Sequence, residues 1–379
     1  MIIGTIKEQN EPRIAIVPAI AKKFLSFLGE GNSVVVEKSM TDLFTDKEYE
    51  SVGAQVKTRE DILATADILF LLNPLSLEEI AKVKKGAMVI SHMDPYNNVT
   101  YIDALAKQGV NAISMEMIPR STIAQKMDSL SSQASLAGYV AVMQGANLMN
   151  KIFPMMMTPS GTIAPAKVFI IGVGVAGLQA IATAKRLGAK VEAFDTRPVV
   201  EEQVQSLGAK FVKVDLGEMG ETKDGYAKEL TKEQLAKQQL AMEKACVSAD
   251  LVITTAKLFG KKAPVIVTDS IVSKMKKGAV IVDLAAGTGG NVEGTVVDEV
   301  ITSHGVTIVG IDNLAGLVPL DASQMYANNL YNLLSHFYQK EAKTFDFTQD
   351  EIAKACVITY DGKIVNERIA AFYAQKGGK

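Results

Sequence analysis

The sequence predicts an α/β protein of two doubly wound, Rossmann-like domains with parallel sheets, linked by long helices. Three observations carry that expectation. Short β-branched runs alternate with amphipathic stretches almost throughout, the pattern of βαβ units. A G-x-G-x-x-G run lies between one such strand and the next helical stretch. A long segment rich in Ala, Ser and Gly, "DSLSSQASLAGYVAVMQGANLMNKI", follows the first set of alternations and precedes the second.

In the first set, "MIIGTI", "SVVVEK", "ADILFLL", "GAMVISH" and "VNAISMEMI" read as strands. "PAIAKKFLSFLGEG" and "YIDALAKQG" read as helices stopped by glycine. After the long helix, "FPMMMTPSGTIAPAKV" reads as an exposed hairpin whose methionines suit a partner surface. The second set of strands is "KVFIIGVG", "KVEAFD", "KFVKVD", "DLVITTA", "AVIVDLA" and "VTIVGID". "DASQMYANNLYNLLSHFYQ" then predicts a helix with an Asp321/Gln324 capping pair that returns to the first domain. "VITYDGKIV" predicts a closing hairpin around Asp361-Gly362. The expected domains are residues 1–137 with 315–379, and 138–314, within the range of about two to three that 379 residues suggest.

Composition narrows the function classes. Lys plus Arg is 40 and Asp plus Glu is 42, which argues against a nucleic-acid binder with its basic face. Cys246 and Cys356 form no CxxC pair, which suits a reducing cytosol. No run reaches the roughly 20 apolar residues of a membrane helix, and the first residues do not read as a signal peptide. No metal-ligand spacing and no nucleophile elbow is seen.

The glycine run is the strongest local signal. Gly172 permits a tight turn, Gly174 lets a pyrophosphate approach the backbone, and Gly177 lets helix pack on strand. Val175 and Ala176 open the helix whose free N–H groups would hold phosphate. Asp195 ends the next strand, where a carboxylate accepts from an adenosine ribose and repels a 2′-phosphate. Arg197 complicates that preference, but the position of Asp195 favours NAD. An ordinary dehydrogenase also needs a proton-transfer group. Lys7, Arg13 and His92 are the first domain's candidates. His92 stands at a strand's C-terminal end, and its bland reading is a satisfied, half-buried histidine.

"IPRSTIAQKMDSLSSQ" is a polar stretch unlike its surroundings. It reads either as a helix-entry loop with Asp128 as N-cap or as a functional loop joining the domains.

Together "MDSLSSQASLAGY", "FPMMMT", "GVGVAGLQAIATAKRLGA", "EEQVQSLGAKF", "GYAKE", "VITTA", "IVDLAAGTGGN" and "NNLYNLL" closely resemble the NAD(H)-binding subunits of proton-translocating NAD(P) transhydrogenases. The resemblance covers nearly the whole chain and includes the separately encoded form, alpha-1, which lacks membrane helices. It implies direct hydride transfer, of the Si-specific/Re-specific kind, between NAD(H) here and NADP(H) on a partner beta subunit. Proton translocation is left to the membrane subunits, alpha-2 and beta. Both reacting partners are nicotinamides, so no acid or base is needed in this chain. The resemblance also implies a homodimer, held on the cytoplasmic face of the membrane through its partners.

Residue roles follow from the same resemblance. Arg120, with Ser121, Thr122 and Ile123, would orient the nicotinamide region of NAD. Gln125 would reach the other dinucleotide. Asp128 and Ser131 would bind the nicotinamide amide or its ribose. Gly225 and Tyr226 would close over NAD as a lid. Val175, Asp195, Thr196 and Arg197 match the adenosine side; Gln238, Thr255, Ala256 and Lys257 match the remaining nucleotide contacts. Ile123 replaces the second arginine of the family's "RISRAQ", and Lys257 replaces a leucine. Alanine dehydrogenase shares the two-domain plan and matches Arg13 and His92. It also needs a lysine in the third strand, where this chain has Leu71 in "ADILFLLNP".

Overall fold

The structure, a computed structural model, describes residues 1–214, 231–258, 260–339, 341–348 and 350–377. The chain divides into two compact units, Met1–Gln133 with Val318–Lys379, and Ala134–Leu317.

The first unit starts with alternating strands and helices: β1 (Ile2–Thr5), α1 (Pro18–Leu28), β2 (Ser33–Glu37), α2 (Asp46–Ser51), β3 (Gln55–Lys57), α3 (Arg59–Thr65), β4 (Ile68–Phe70), α4 (Leu77–Ile80), β5 (Met88–Ser91), α5 (Val99–Gln108) and β6 (Asn111–Ser114). Local chemistry sets these ends. Pro18 opens α1, where its missing N–H costs nothing. Thr45 with Glu48, and Ser76 with Glu79, form capping boxes on α2 and α4. Gly109 stops α5 in the left-handed region. Strands β4 and β5 are buried along their length, as expected of parallel strands covered on both faces.

Helix α6 (Ser129–Leu148) follows, and the chain passes from one unit to the other within it. The second unit holds the hairpin β7 (Met156–Thr158) and β8 (Gly161–Ile163), then β9 (Lys167–Ile171), α7 (Val175–Arg186), β10 (Lys190–Phe194), α8 (Glu201–Ser206), β11 (Lys210–Phe211), α9 (Lys232–Ser248), β12 (Leu251–Thr254), α10 (Asp269–Val272), β13 (Val280–Asp283), β14 (Val300–Ser303) and β15 (Val306–Val309). The small residues of α6 have a packing reason. A Cβ on Gly138 would fall 2.1 Å from the Ala176 carbonyl oxygen, and one on Gly145 would fall 2.5 Å from Leu251. The hairpin is antiparallel and exposed, as its composition suggests.

The chain returns to the first unit through α11 (Pro319–Phe337), β16 (Tyr338–Gln339), β17 (Thr344–Phe345), α12 (Glu351–Cys356), β18 (Val357–Tyr360), β19 (Lys363–Ile364) and α13 (Glu367–Gly377). Two local expectations need correction. Helix α11 starts at Pro319 after Val318, without a side-chain cap, so Asp321 lies in its first turn rather than at its cap. The β18–β19 hairpin turns at Asp361-Gly362 but does not end the chain, because α13 follows.

The first sheet has the order β19-β18-β6-β5-β4-β1-β2-β3, and the second β11-β10-β9-β12-β13-β15-β14. Both are doubly wound. They are parallel except at one edge, where β18 and β19, or β14, run antiparallel. In each, the strand order reverses at a switch point: between β1 and β4 in the first unit, between β9 and β12 in the second. Ligands of open α/β sheets collect beyond the strand ends at such points.

Candidate dinucleotide site

The second unit's switch point is built largely from backbone. Gly172 follows β9 with φ +93, in the left-handed region that a side chain would strain. A Cβ on it would also meet the Thr255 hydroxyl at 2.5 Å. A Cβ on Gly177 would meet the Gly172 carbonyl oxygen at 2.0 Å, so this glycine is where α7 presses on the strand end. Gly174 differs. It is the N-cap of α7, has an extended backbone, is exposed, and among the described residues has no heavy atom within 4 Å of a Cβ position. The packing of the described residues does not require a glycine there. Val175 is exposed and Ala176 half-buried at the opening of α7. The first N–H groups of a helix lack intrahelical partners.

Asp195 follows β10, and both its oxygens are engaged within the unit. One accepts from Arg197 N (2.8 Å) and Nε (2.9 Å); the other accepts from Val173 N (2.8 Å) and Arg197 Nη2 (3.0 Å). Arg197 Nη2 also donates to the Val173 carbonyl at 3.2 Å. The sequence presented a carboxylate facing a ribose and an arginine that could favour a 2′-phosphate; the structure joins them in one ion pair. A ribose hydroxyl would share an acceptor that already serves Arg197, and a 2′-phosphate would have to draw Arg197 away from Asp195. Thr196 lies between them, half-buried.

On the other side of the switch point, Thr255 N donates to Ile171 O (2.8 Å), and its hydroxyl donates to Gly172 O (2.9 Å). Ala256 follows, its N–H and C=O both held by Asn291. Lys257 is exposed, with Nζ 3.8 Å from Asp312. Gln238 lies on α9, and Gly225 and Tyr226 fall outside the described residues.

In the first unit, the Arg120–Asp128 loop is pinned from below and exposed above. Ala124 and Met127 are buried. The Lys126 carbonyl accepts from Asn329 (3.0 Å) and Asn332 (3.1 Å), two asparagines of the "NNLYNLL" motif. Arg120, Ser121, Thr122, Ile123 and Gln125 are exposed, Ile123 at 66%. Asp128 accepts from Ser131 N (2.9 Å) and Ser131 Oγ (2.5 Å), so it caps α6.

The first unit's switch point is filled by side chains. Glu8, after β1, accepts from Leu72 N at 2.6 Å, just beyond β4. Burial pushes its carboxyl up to about 7. Sequence reasoning assigned Glu8 no role of its own; its signal was the "KE…E.R.A..P" pattern shared with alanine dehydrogenase. Tyr326 donates to Leu71 O at 2.7 Å and stacks on His92. His92 Nε2 is 3.2 Å from Ser129 Oγ, and Nδ1 is 3.7 Å from Glu116. Burial holds the His92 imidazole below its usual pKa, against the opposing pull of Glu116. Arg13 makes a two-point pair with Glu11 (2.8 and 2.7 Å) and donates to Gln133 (2.8 Å). Among the described residues no group of three or more His, Cys, Asp or Glu could hold a metal, and no helix is long and apolar enough to cross a membrane.

Two family models match the chain: "Alanine dehydrogenase/PNT, N-terminal domain" over residues 4–137 and "Alanine dehydrogenase/PNT, C-terminal domain" over 141–367. The chain is 44% identical to the alpha-1 subunit of NAD(P) transhydrogenase from Rickettsia prowazekii, covering 98% of each sequence. The chain belongs to this transhydrogenase subunit family. A solved transhydrogenase structure from Sinorhizobium meliloti superposes with a TM-score of 0.84 at 40% identity, over 97% of this chain and 100% of that one. An L-alanine dehydrogenase structure superposes with a TM-score of 0.79 at 22% identity, over 99% of each chain, a likeness of fold alone. The doubly wound α/β fold expected from the sequence is the fold of both structures. As a member of this family, the chain is an NAD(H)-binding protein.

Proposed function

We propose that NAD(H) binds on the glycine edge of the second unit and exchanges hydride directly with NADP(H) on a separate beta subunit. The hydride leaves C4 of one nicotinamide with its electron pair and arrives at C4 of the other. No proton is released in that step, and the chain's task is alignment and exclusion of water. The observation that carries this reading is Gly174, a glycine at a helix start that no described atom crowds. Backbone N–H groups there suit a pyrophosphate.

Arg120 and its neighbours Ser121, Thr122 and Ile123 orient the nicotinamide end of NAD. Gln125 reaches the second dinucleotide, and Asp128 with Ser131 bind the nicotinamide amide or ribose. The support is their exposure on a loop whose backbone is fixed beneath by Ala124, Met127 and Asn329. The pairing of Arg197 with Asp195 supports NAD over NADP. The pairing of Arg13 with Glu11 supports a chain that does not take a keto acid. The β7–β8 hairpin, with Met155, Met156 and Met157 at 59%, 44% and 73% exposure, is the contact with a second copy in a homodimer. Membrane subunits alpha-2 and beta complete the Si-specific/Re-specific enzyme, hold this chain at the cytoplasmic face, and carry the protons.

The test mixes the purified chain with an NADP(H)-binding partner domain, NADH and an NADP analogue. Hydride transfer appears only in the mixture. Silence there, or substantial reduction of NAD by L-alanine with this chain alone, overturns the reading.

A further inference from the structure

The "IVDLAAGTGGN" segment has no role in the proposed hydride transfer, yet it encloses the most heavily hydrogen-bonded buried carboxylate described in the second unit. Asp283 ends β13 and is fully buried. One oxygen accepts from the Thr254 hydroxyl (2.9 Å) and Ala285 N (3.0 Å). The other accepts from Asn291 N (2.8 Å), Val292 N (3.1 Å) and the Thr295 hydroxyl (2.9 Å). These donors offset the cost of burying a carboxylate. Gly290 lets the chain close around it, with φ +80 and a Cβ position 3.0 Å from the same carboxylate.

Asn291, also fully buried, passes this anchorage on. Its amide oxygen accepts from Ala256 N, and its amide nitrogen donates to Ala256 O and Pro264 O, all at 2.9 Å. The side chain thus grips one residue's N–H and C=O together, as a neighbouring strand would. Thr255, the preceding residue, lies against Gly172, its hydroxyl 2.9 Å from the Gly172 carbonyl. A chain of contacts therefore runs Asp283, Asn291, Ala256, Thr255, Gly172, and ends on the first glycine of the fingerprint.

We propose that Asp283 and Asn291 are positioning residues for the dinucleotide: they hold the Thr255–Ala256 peptide in register with Gly172, so the nucleotide-binding edge is preformed. This deepens the proposed function and rests on it. A preformed edge has less to order on binding, which improves affinity without touching the ligand.

Asp250 supplies the matched control. It too is a buried carboxylate in the second unit, but it ties Lys167 N (2.8 Å), Lys276 (2.7 Å) and Lys151 (3.3 Å) at the opposite, N-terminal end of the strands. The experiment measures NADH affinity and thermal midpoint together for wild type, Asn291→Ala, Asp250→Asn and Thr255→Val. Asn291→Ala is expected to weaken NADH binding about tenfold or more, while Asp250→Asn lowers the midpoint and leaves affinity within about twofold. If Asn291→Ala does not fold, Thr255→Val decides: it removes the hydroxyl tie to Gly172 and keeps the volume, with an expected loss of about threefold or more. Wild-type affinity in the soluble variant, or equal losses in the Asp250 control, overturns the proposal. Wild-type protein that binds no NADH would instead sink the proposed function.

Discussion

The two units reach the same topological point and treat it in opposite ways. Each sheet reverses its strand order once, leaving a gap beyond the strand ends. In the first unit the gap is filled. Glu8 takes the Leu72 N–H, Tyr326 takes the Leu71 carbonyl, and His92 packs on Tyr326. In the second unit the corresponding strand ends are Gly172 and Thr255, and the helix that follows starts at the uncrowded Gly174. In the first gap side chains thus take the strand-end backbone groups, whereas in the second an exposed helix start stands beside the Asp195–Arg197 pair. A backbone surface of that kind suits a pyrophosphate.

The sharpest way to break this contrast is to give the open gap a side chain. Gly174 has an extended backbone with negative φ, and no described atom lies within 4 Å of its Cβ position. Gly174→Val should therefore fold, losing about 1 kcal/mol of N-cap preference and about 5 °C or less of thermal midpoint. Its NADH affinity should fall more than about 100-fold, because the added methyls occupy the approach to the helix N-terminus. Isothermal titration with NADH, beside a melting curve, separates the two effects; retained affinity would remove the glycine edge from the binding site.

A somewhat smaller effect is expected from the exposed loop of the first unit. Gln125→Asn shortens a side chain at the edge of a loop whose backbone is fixed by Ala124, Met127 and Asn329. Hydride transfer in the mixed assay should slow about 30-fold, with NADH affinity within about twofold. Equal losses in rate and affinity would make Gln125 a binding residue instead of an aligner.

The two gaps were unequally legible in the sequence. The glycine run declares itself because Gly172, Gly174 and Gly177 lie close together in the chain, Gly172 and Gly177 for a packing reason and Gly174 for the approach of a ligand. The same is true of the methionine hairpin, the glycine-stopped helices and the doubly wound pattern. The filled gap gives almost no such signal. Glu8 meets Leu72, and Tyr326 meets Leu71, across separations that no local pattern encodes. The clamp of Asn291 on Ala256 is hidden for the same reason, since 35 residues separate them. Strands β3 and β14 leave little trace in the sequence because they are short edge strands whose side chains are largely outside the core. The capping pair expected at Asp321 failed because Pro319, two residues earlier, already starts the helix.

The smallest expected effect concerns the filled gap and has a definite sign. Burial lifts the Glu8 carboxyl from 4.5 to about 7, so the folded protein keeps this proton to higher pH than the unfolded chain. Between those values the native state binds more protons, so the contribution of Glu8 to stability falls as pH rises. From about pH 5.5 to about pH 7 the linkage amounts to about 1.5 kcal/mol. Glu8→Gln removes the titration and keeps an oxygen that can accept from Leu72 N. Urea unfolding at the two pH values should show the stability difference, wild type minus Glu8→Gln, shrinking or reversing by about that amount as pH rises. His92 is present in both proteins, so its opposite trend, stability lost as pH falls below its unfolded value, cancels in the difference. A difference independent of pH would mean that Glu8 is ionised in the folded state throughout, and that the first gap is wetter than its packing implies. NADH affinity should be the same for Glu8→Gln and wild type at either pH, within about twofold, since only the second gap is proposed to hold the pyrophosphate.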